Sequence, residues 1–207
     1  MLSDPTVLIL MYFILPLWLI AGFADWLCHR ASHIETTTGP KESLIYLLMF
    51  VEVRIPLLAG MFLDINALII SAMLVAFIVH KATAMWDASY ATTARTVTPL
   101  EQHVHSFLEM IPLMGIVIVV SLHWSQFLAL FGMGSEPAKF ALVWKSEPLP
   151  VAYIVTMLVV ILLFELLPYI EEFIRGYRAN GGRLVPDKAR RAEPCQTTPP
   201  IMPNAPG

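Results

Sequence analysis

Five stretches of this chain are apolar over about the length that a helix needs to cross a hydrocarbon layer, and no other feature narrows the possible folds so far. They fall at approximately 5–28, 44–62, 66–86, 106–131 and 149–170. Roughly 20 residues rise about 30 Å as a helix, the thickness of a bilayer core. A backbone N–H or C=O in lipid meets no water, so a spanning segment must satisfy its hydrogen bonds internally or in a closed barrel. These runs lack the strict alternation of barrel strands. The expected fold is therefore all-α, a polytopic membrane helical bundle of about five transmembrane helices occupying residues 1–178. Composition agrees, with 57% of the 207 residues hydrophobic and 14% charged, where a soluble domain carries about a quarter charged residues. Mean hydropathy is +0.68.

A formal charge of -3 and a pI near 6.0 argue against the clustered basic surface that binds nucleic acid. Cys28 and Cys195 form neither a disulfide framework nor a CxxC metal pair. The first run lacks the basic n-region and small-residue cleavage site of a secretory signal, and reads as a retained first span. Lys and Arg are retained in cytoplasmic loops. Arg30, Lys41, Lys81, Arg95, Arg175, Arg178, Arg183, Lys188, Arg190 and Arg191 fall on one side, against Lys139 and Lys145 on the other. The N-terminus is thus expected outside and the C-terminus in the cytoplasm, in a bacterial inner membrane. Residues 179–207 are polar and Pro-rich and are expected to form a disordered cytoplasmic tail.

With five spans, the ends of the first, third and fifth helices and the starts of the second and fourth share one face. The polar residues gather there. Asp25, His29, His33 and Glu35 close the first helix, Glu52 and Arg54 lie in the second, His80 and Asp87 end the third, and Glu101, His103, His105 and Glu109 open the fourth. His123 lies about 27 Å from His105 by helix rise, near the opposite face. Positions three, four or seven apart share a helical face. Asp25, His29 and His33 form one stripe, Glu101, His105 and Glu109 a second, and His80 with Asp87 a third. Counting inward from the helix ends places Asp25, His29, Glu52, His80, His105 and Glu109 deepest, with His33, Asp87 and Glu101 nearer the surface.

Imidazole and carboxylate together suit iron, manganese or zinc, and carboxylates can bridge two ions. Helical bundles build di-iron sites from inward-facing Glu and His in this way. Ionisable groups below a membrane surface each cost a few kcal/mol unless compensated. The candidate metal ligands are therefore Asp25, His29, His33, Glu52, His80, Asp87, His105 and Glu109, with Glu101 and His103 as candidate proton-transfer residues. Other roles are open to several of them. Thr98, Pro99 and Glu101 fit an N-cap, a first-turn proline and a capping-box acid. Arg54 can pair with Asp25 or Glu109, and Asp25 or Asp87 can orient a histidine through its second nitrogen. Glu165 is a further candidate, whereas Glu171 and Glu172 read as interfacial charges. The tryptophans read mostly as membrane-interface aromatics.

At HRASH (His29, His33), at His80 and at EQHVH (Glu101 to His105) the chain resembles the integral-membrane di-iron oxygenases, the broad class of fatty acid desaturases and hydroxylases. The resemblance covers residues 25–109. That class usually carries more histidines, in HxxHH boxes absent here, so carboxylates would replace several imidazoles. The resemblance implies dioxygen activation at two iron ions, electrons from a separate donor protein, and oxidation of a C–H bond in an apolar small molecule or lipid at the cytoplasmic side. Three other functions fit the same residues. Two of His29, His80 and His105 can ligate a haem in a membrane electron carrier. Intramembrane Asp, Glu and His also mark proton-coupled transporters, although here they occupy one half of the bilayer. An accessory subunit of a membrane complex is the last.

Overall fold

Proline sets the helix starts and glycine the sharpest turn between them. The computed structural model describes residues 4–186 of the chain. Five long helices, each long and apolar enough to cross a membrane, run through α1 (Pro5–Ala31), α2 (Pro40–Phe62), α3 (Ala67–Ala94), α4 (Pro99–Leu122) and, after the short α5 (Trp124–Ala129), α6 (Val151–Ala179). Pro5, Pro40 and Pro99 occupy first-turn positions, where a missing N–H costs nothing. Asp4, Asn66 and Thr98 cap α1, α3 and α4 through their side chains.

Two spans carry a π-helical turn, Leu10–Ile14 in α1 and Leu162–Leu166 in α6. Each precedes a proline by two positions, Pro16 and Pro168. Proline has no N–H to offer the turn before it. In α1 the Leu15 N–H reaches back to the Leu10 carbonyl, and Pro16 cannot serve the next carbonyl, that of Met11. The Tyr153 hydroxyl of α6 donates to it instead, at 3.0 Å, which ties the first span to the last.

The helices run on past the apolar stretches at one end only. α3 continues to Ala94 where the hydropathy pattern stops at 86, α4 begins at Pro99 rather than 106, and α6 reaches Ala179 rather than 170. The added turns are polar in sequence yet helical, because their carboxylates and imidazoles face inward and compensate one another. That end gathers the C-termini of α1, α3 and α6 and the N-termini of α2 and α4: Tyr90 of α3 donates to the Thr38 carbonyl at 2.9 Å, and Asn180 donates to the Glu35 carbonyl at 2.8 Å. α1 packs along α4, and α2 along α3 and the second half of α6.

The apolar core lies towards the opposite end, around Ile14, Trp18, Met61, Ile111 and Ile161. There the chain after α5 lies across the α2–α3 turn. Val143 and Lys139 accept from the Asp64 and Leu68 amides, and the Asn66 side chain donates to the Ala141 carbonyl at 2.8 Å. His123 breaks the expected 106–131 helix into α4 and α5. Residues 180–186 turn back onto the bundle, with Pro186 buried; the remainder of the expected tail, from 187 onward, lies outside the described residues.

Gly39, between α1 and α2, has φ +74 and ψ -168, a region that essentially only glycine occupies. A Cβ there would stand 2.6 Å from Pro186 Cγ. Gly39→Ala is expected to lower stability by about 1–3 kcal/mol, read as an earlier thermal transition of the purified protein in detergent. An unchanged transition would contradict this account of the turn.

Candidate functional site

Five carboxylates and two imidazoles meet inside the extended end of the bundle. Asp25, Glu42 and Glu172 are fully buried, and Asp87 and Glu101 are 2% exposed. Glu42 and Glu101 lie in the first turns of α2 and α4, where helix dipoles favour negative charge. Arg95, directly after α3, forks between them: its guanidinium donates to Glu42 Oε1 at 2.6 Å and to Glu101 Oε2 at 2.9 Å. Burial alone would pull the Arg95 pKa down, but its hydrogen bonds to Glu101 and Glu42 outweigh this and hold it well above the ordinary arginine value. This cation keeps its charge at any accessible pH.

His29 sits at the middle of the group. Its Nδ1 lies 3.2 Å from Glu172 Oε2, and its Nε2 lies 3.7 Å from Asp25 Oδ2 and 3.8 Å from Glu101 Oε1. An Nδ1–H donated to Glu172 leaves Nε2 with a free lone pair. On the other side of Asp25, Oδ1 lies 3.8 Å from His105 Nδ1, which is also 3.0 Å from the Tyr46 hydroxyl. Both Asp25 oxygens, His29 Nε2, Glu172 Oε1 and Asp87 Oδ1 are buried without a hydrogen-bond partner. A buried polar atom without a partner costs about 1–3 kcal/mol of lost solvation. Tyr46, Met49, Ala84 and Tyr169 cover the group with a shared apolar cluster.

Three other pairs surround this centre. Glu52 stands 3.5 Å from His80 Nδ1 and accepts from Thr83 at 2.7 Å. Arg54 pairs with Glu165 and stacks on Trp18, 4.4 Å from the ring centre. Lys81 pairs with Glu109 at a part-exposed position. A cavity of about 50 Å³ beside Tyr46, Arg54, His80, His105 and Glu165 is of a size for a few water molecules.

Of the residues expected from the sequence, Asp25, His29, Asp87, Glu101 and His105 come together, and Glu52 and His80 form a neighbouring pair. Asp87 and Glu101 are buried rather than near the surface, since their helices extend beyond the apolar runs. Glu101 also receives the expected cap, its amide lying 3.2 Å from Thr98 Oγ1, while its carboxylate turns to Arg95. Three residues stand apart. His33 follows the end of α1, at φ 51, and is 74% exposed beside Glu35. His103 is exposed and bonds the Pro99 carbonyl. Glu109 lies eight positions after Glu101, about 80° further round the helix, and so leaves the buried face for Lys81.

Five participants escape the sequence reading or change role there. Glu172 is buried against His29 and not an interfacial charge; Glu165, Tyr169 and Glu172 share one face of α6 at i, i+4, i+7, a legible signal. Arg54 takes Glu165 and neither Asp25 nor Glu109. Trp18 is buried under Arg54, not at an interface. Glu42 and Arg95 lie outside the apolar runs and are joined only by the fold.

Among the described residues, no three His, Cys, Asp or Glu side chains stand close enough to enclose a metal ion as placed. The 3.7 and 3.8 Å separations around His29 Nε2 exceed the roughly 3 Å between donors that share an ion at about 2.1 Å. No protein-family model, characterised protein or solved structure matches the chain.

Arg95→Gln is expected to cost about 3–5 kcal/mol, because it strands two buried carboxylates. Adding Glu42→Gln should recover part of that loss in the same thermal measurement. A neutral Arg95→Gln would contradict the pairing.

Proposed function

We propose that the chain is a membrane-embedded di-metal oxidoreductase, most consistent with two iron ions, that oxidises an apolar small molecule or lipid. One observation carries this reading. Asp25, Glu42, Asp87, Glu101 and Glu172 bring five carboxyl groups inside the bundle, and Arg95 pairs with only Glu42 and Glu101. Burying ionised carboxylates without partners is costly, and bound divalent cations would balance those that Arg95 does not reach. Asp25, His29, His105 and Glu101 are the residues that would hold the ions, with manganese or zinc as the other metals such donors take.

Bound metal would supply redox and Lewis-acid chemistry in a water-poor site. The chain's own groups do the remaining work. Glu172 fixes the His29 ring with Nε2 directed at Asp25 and Glu101, as carboxylates behind ligating histidines do. Tyr46 fixes the His105 ring through Nδ1, the nitrogen that faces Asp25. The apolar cluster over Tyr46 and Tyr169 excludes water. Electrons would come from a separate donor protein at the cytoplasmic face. A haem is less well supported, since the cavity beside His80 and His105 is far smaller than a macrocycle.

Elemental analysis of the purified full chain is expected to find about two metal ions per molecule, mainly iron. Asp25→Asn, His29→Ala and Glu172→Gln should each lower that content. Absence of metal, an unchanged content in all three variants, or a strong Soret band would overturn the reading.

The orientation that suits this function puts the centre on the cytoplasmic side of a bacterial inner membrane, with the N-terminus outside. A fluorescent protein fused to the C-terminus is expected to mature, and alkaline phosphatase fused there to stay inactive. The reverse pattern would invert the topology.

A further inference from the structure

A cavity of about 390 Å³ occupies the half of the bundle away from the carboxylates, within the range of small-molecule pockets. Its position follows from two helix-interior prolines. Pro56 and Pro112 both line it, and an interior proline bends a helix away from its straight path. Gly60 and Gly115 add no side chain to the space. The walls are otherwise apolar, from Ile14, Trp18, Leu57 and Ile111 among others. From Trp18 to Asp4 along α1 is roughly 20 Å of helix rise. The lining extends along α1 from Asp4 to Trp18, an elongated shape that matches an unbranched chain.

The two ends differ. The inner end is Glu52, whose Oε2 is buried without a hydrogen-bond partner and faces His80. The mouth, on the opposite face, is flanked by Asp4, His123, Lys145 and Glu147. Asp4 is committed to the Thr6 amide at 2.8 Å, and Glu147 is exposed to solvent. Lys145 is held half inside by the Leu63 carbonyl at 2.8 Å. Burial pushes the Lys145 ammonium below its ordinary pKa, and the charge of Asp64 offsets this only in part. His123 is likewise pushed down by burial and by the Lys145 charge. An anion at the mouth would relieve both groups.

We propose that this cavity binds a single-chain carboxylic acid from the leaflet opposite the carboxylate centre, with its head at Lys145 and its chain end directed to Glu52. It rests on the di-metal reading only for what happens to the chain end; the binding stands apart from it. In a full chain whose Trp26, Trp86, Trp124 and Trp144 are replaced by Phe, dodecanoic acid brominated at its terminal carbon is expected to quench Trp18 fluorescence saturably. The isomer brominated beside the carboxyl should quench several-fold less. Gly115→Leu tests the cavity directly, since a Cβ there meets its nearest atom at 4.0 Å, so the side chain enters open space. That variant should bind at least tenfold more weakly while its metal content matches the parent chain's.

Unsaturable quenching, equal or reversed quenching by the two isomers, or undiminished binding by Gly115→Leu would overturn the proposal, as would tighter binding of a sterol hemisuccinate. Binding of the acid by a parent chain that contains no metal would overturn the di-metal reading alone.

Discussion

A carboxylate taken out of water into a helix bundle must meet a cation, a proton or a set of donors, and in this protein most of the structure's polar end answers to that requirement. Arg95 is the principal answer. It arrives at the end of α3 and reaches the first turns of both α2 and α4, so one guanidinium joins three helices. Helix starts at Pro40 and Pro99 supply two more contributions, because the acids placed just inside them feel the positive end of a helix dipole. Asp25 and Glu172 face His29 instead, and Asp25 also faces His105.

The same requirement explains the length of the helices. An apolar segment ends, in hydropathy terms, where charged residues begin. Here the charged residues continue the helix and face inward, so α3, α4 and α6 extend beyond the lipid-like part of their sequences. The centre is therefore enclosed by helix rather than displayed on loops. Enclosure gives it a low dielectric and fixed orientations, which are the conditions under which a metal or a proton is held selectively.

Prolines organise the other half. Pro16 and Pro168 follow π-helical turns, and in α1 the carbonyl left over is recovered by Tyr153. Pro56 and Pro112 bend the helices that surround the large cavity. The bundle is thus polar and close-packed at one end and apolar and hollow at the other, with Glu52 at the junction.

Five membrane-length helices and the side on which the charges gather were determined by the sequence alone, because hydropathy and charge are summed along a chain and need no tertiary contact. Stripes such as Asp25 with His29, or His80 with Asp87, were equally legible, since helical spacing places them on one face. Partner choice was decided only by the tertiary structure. The spacing of Glu165, Tyr169 and Glu172 marks one face of the last span, but nothing local says that Glu172 meets His29 or assigns Arg54 to Glu165 in preference to Asp25. His33 and Glu109 fit their stripes by number, but α1 ends too soon for the first and helical drift turns the second away. Arg95 and Glu42 lie 53 positions apart, and only the packing of α3 against α2 makes them neighbours. The gathering of charge at one end was a property of the sequence; which charges meet was a property of the fold, because pairing depends on distance and distance on packing.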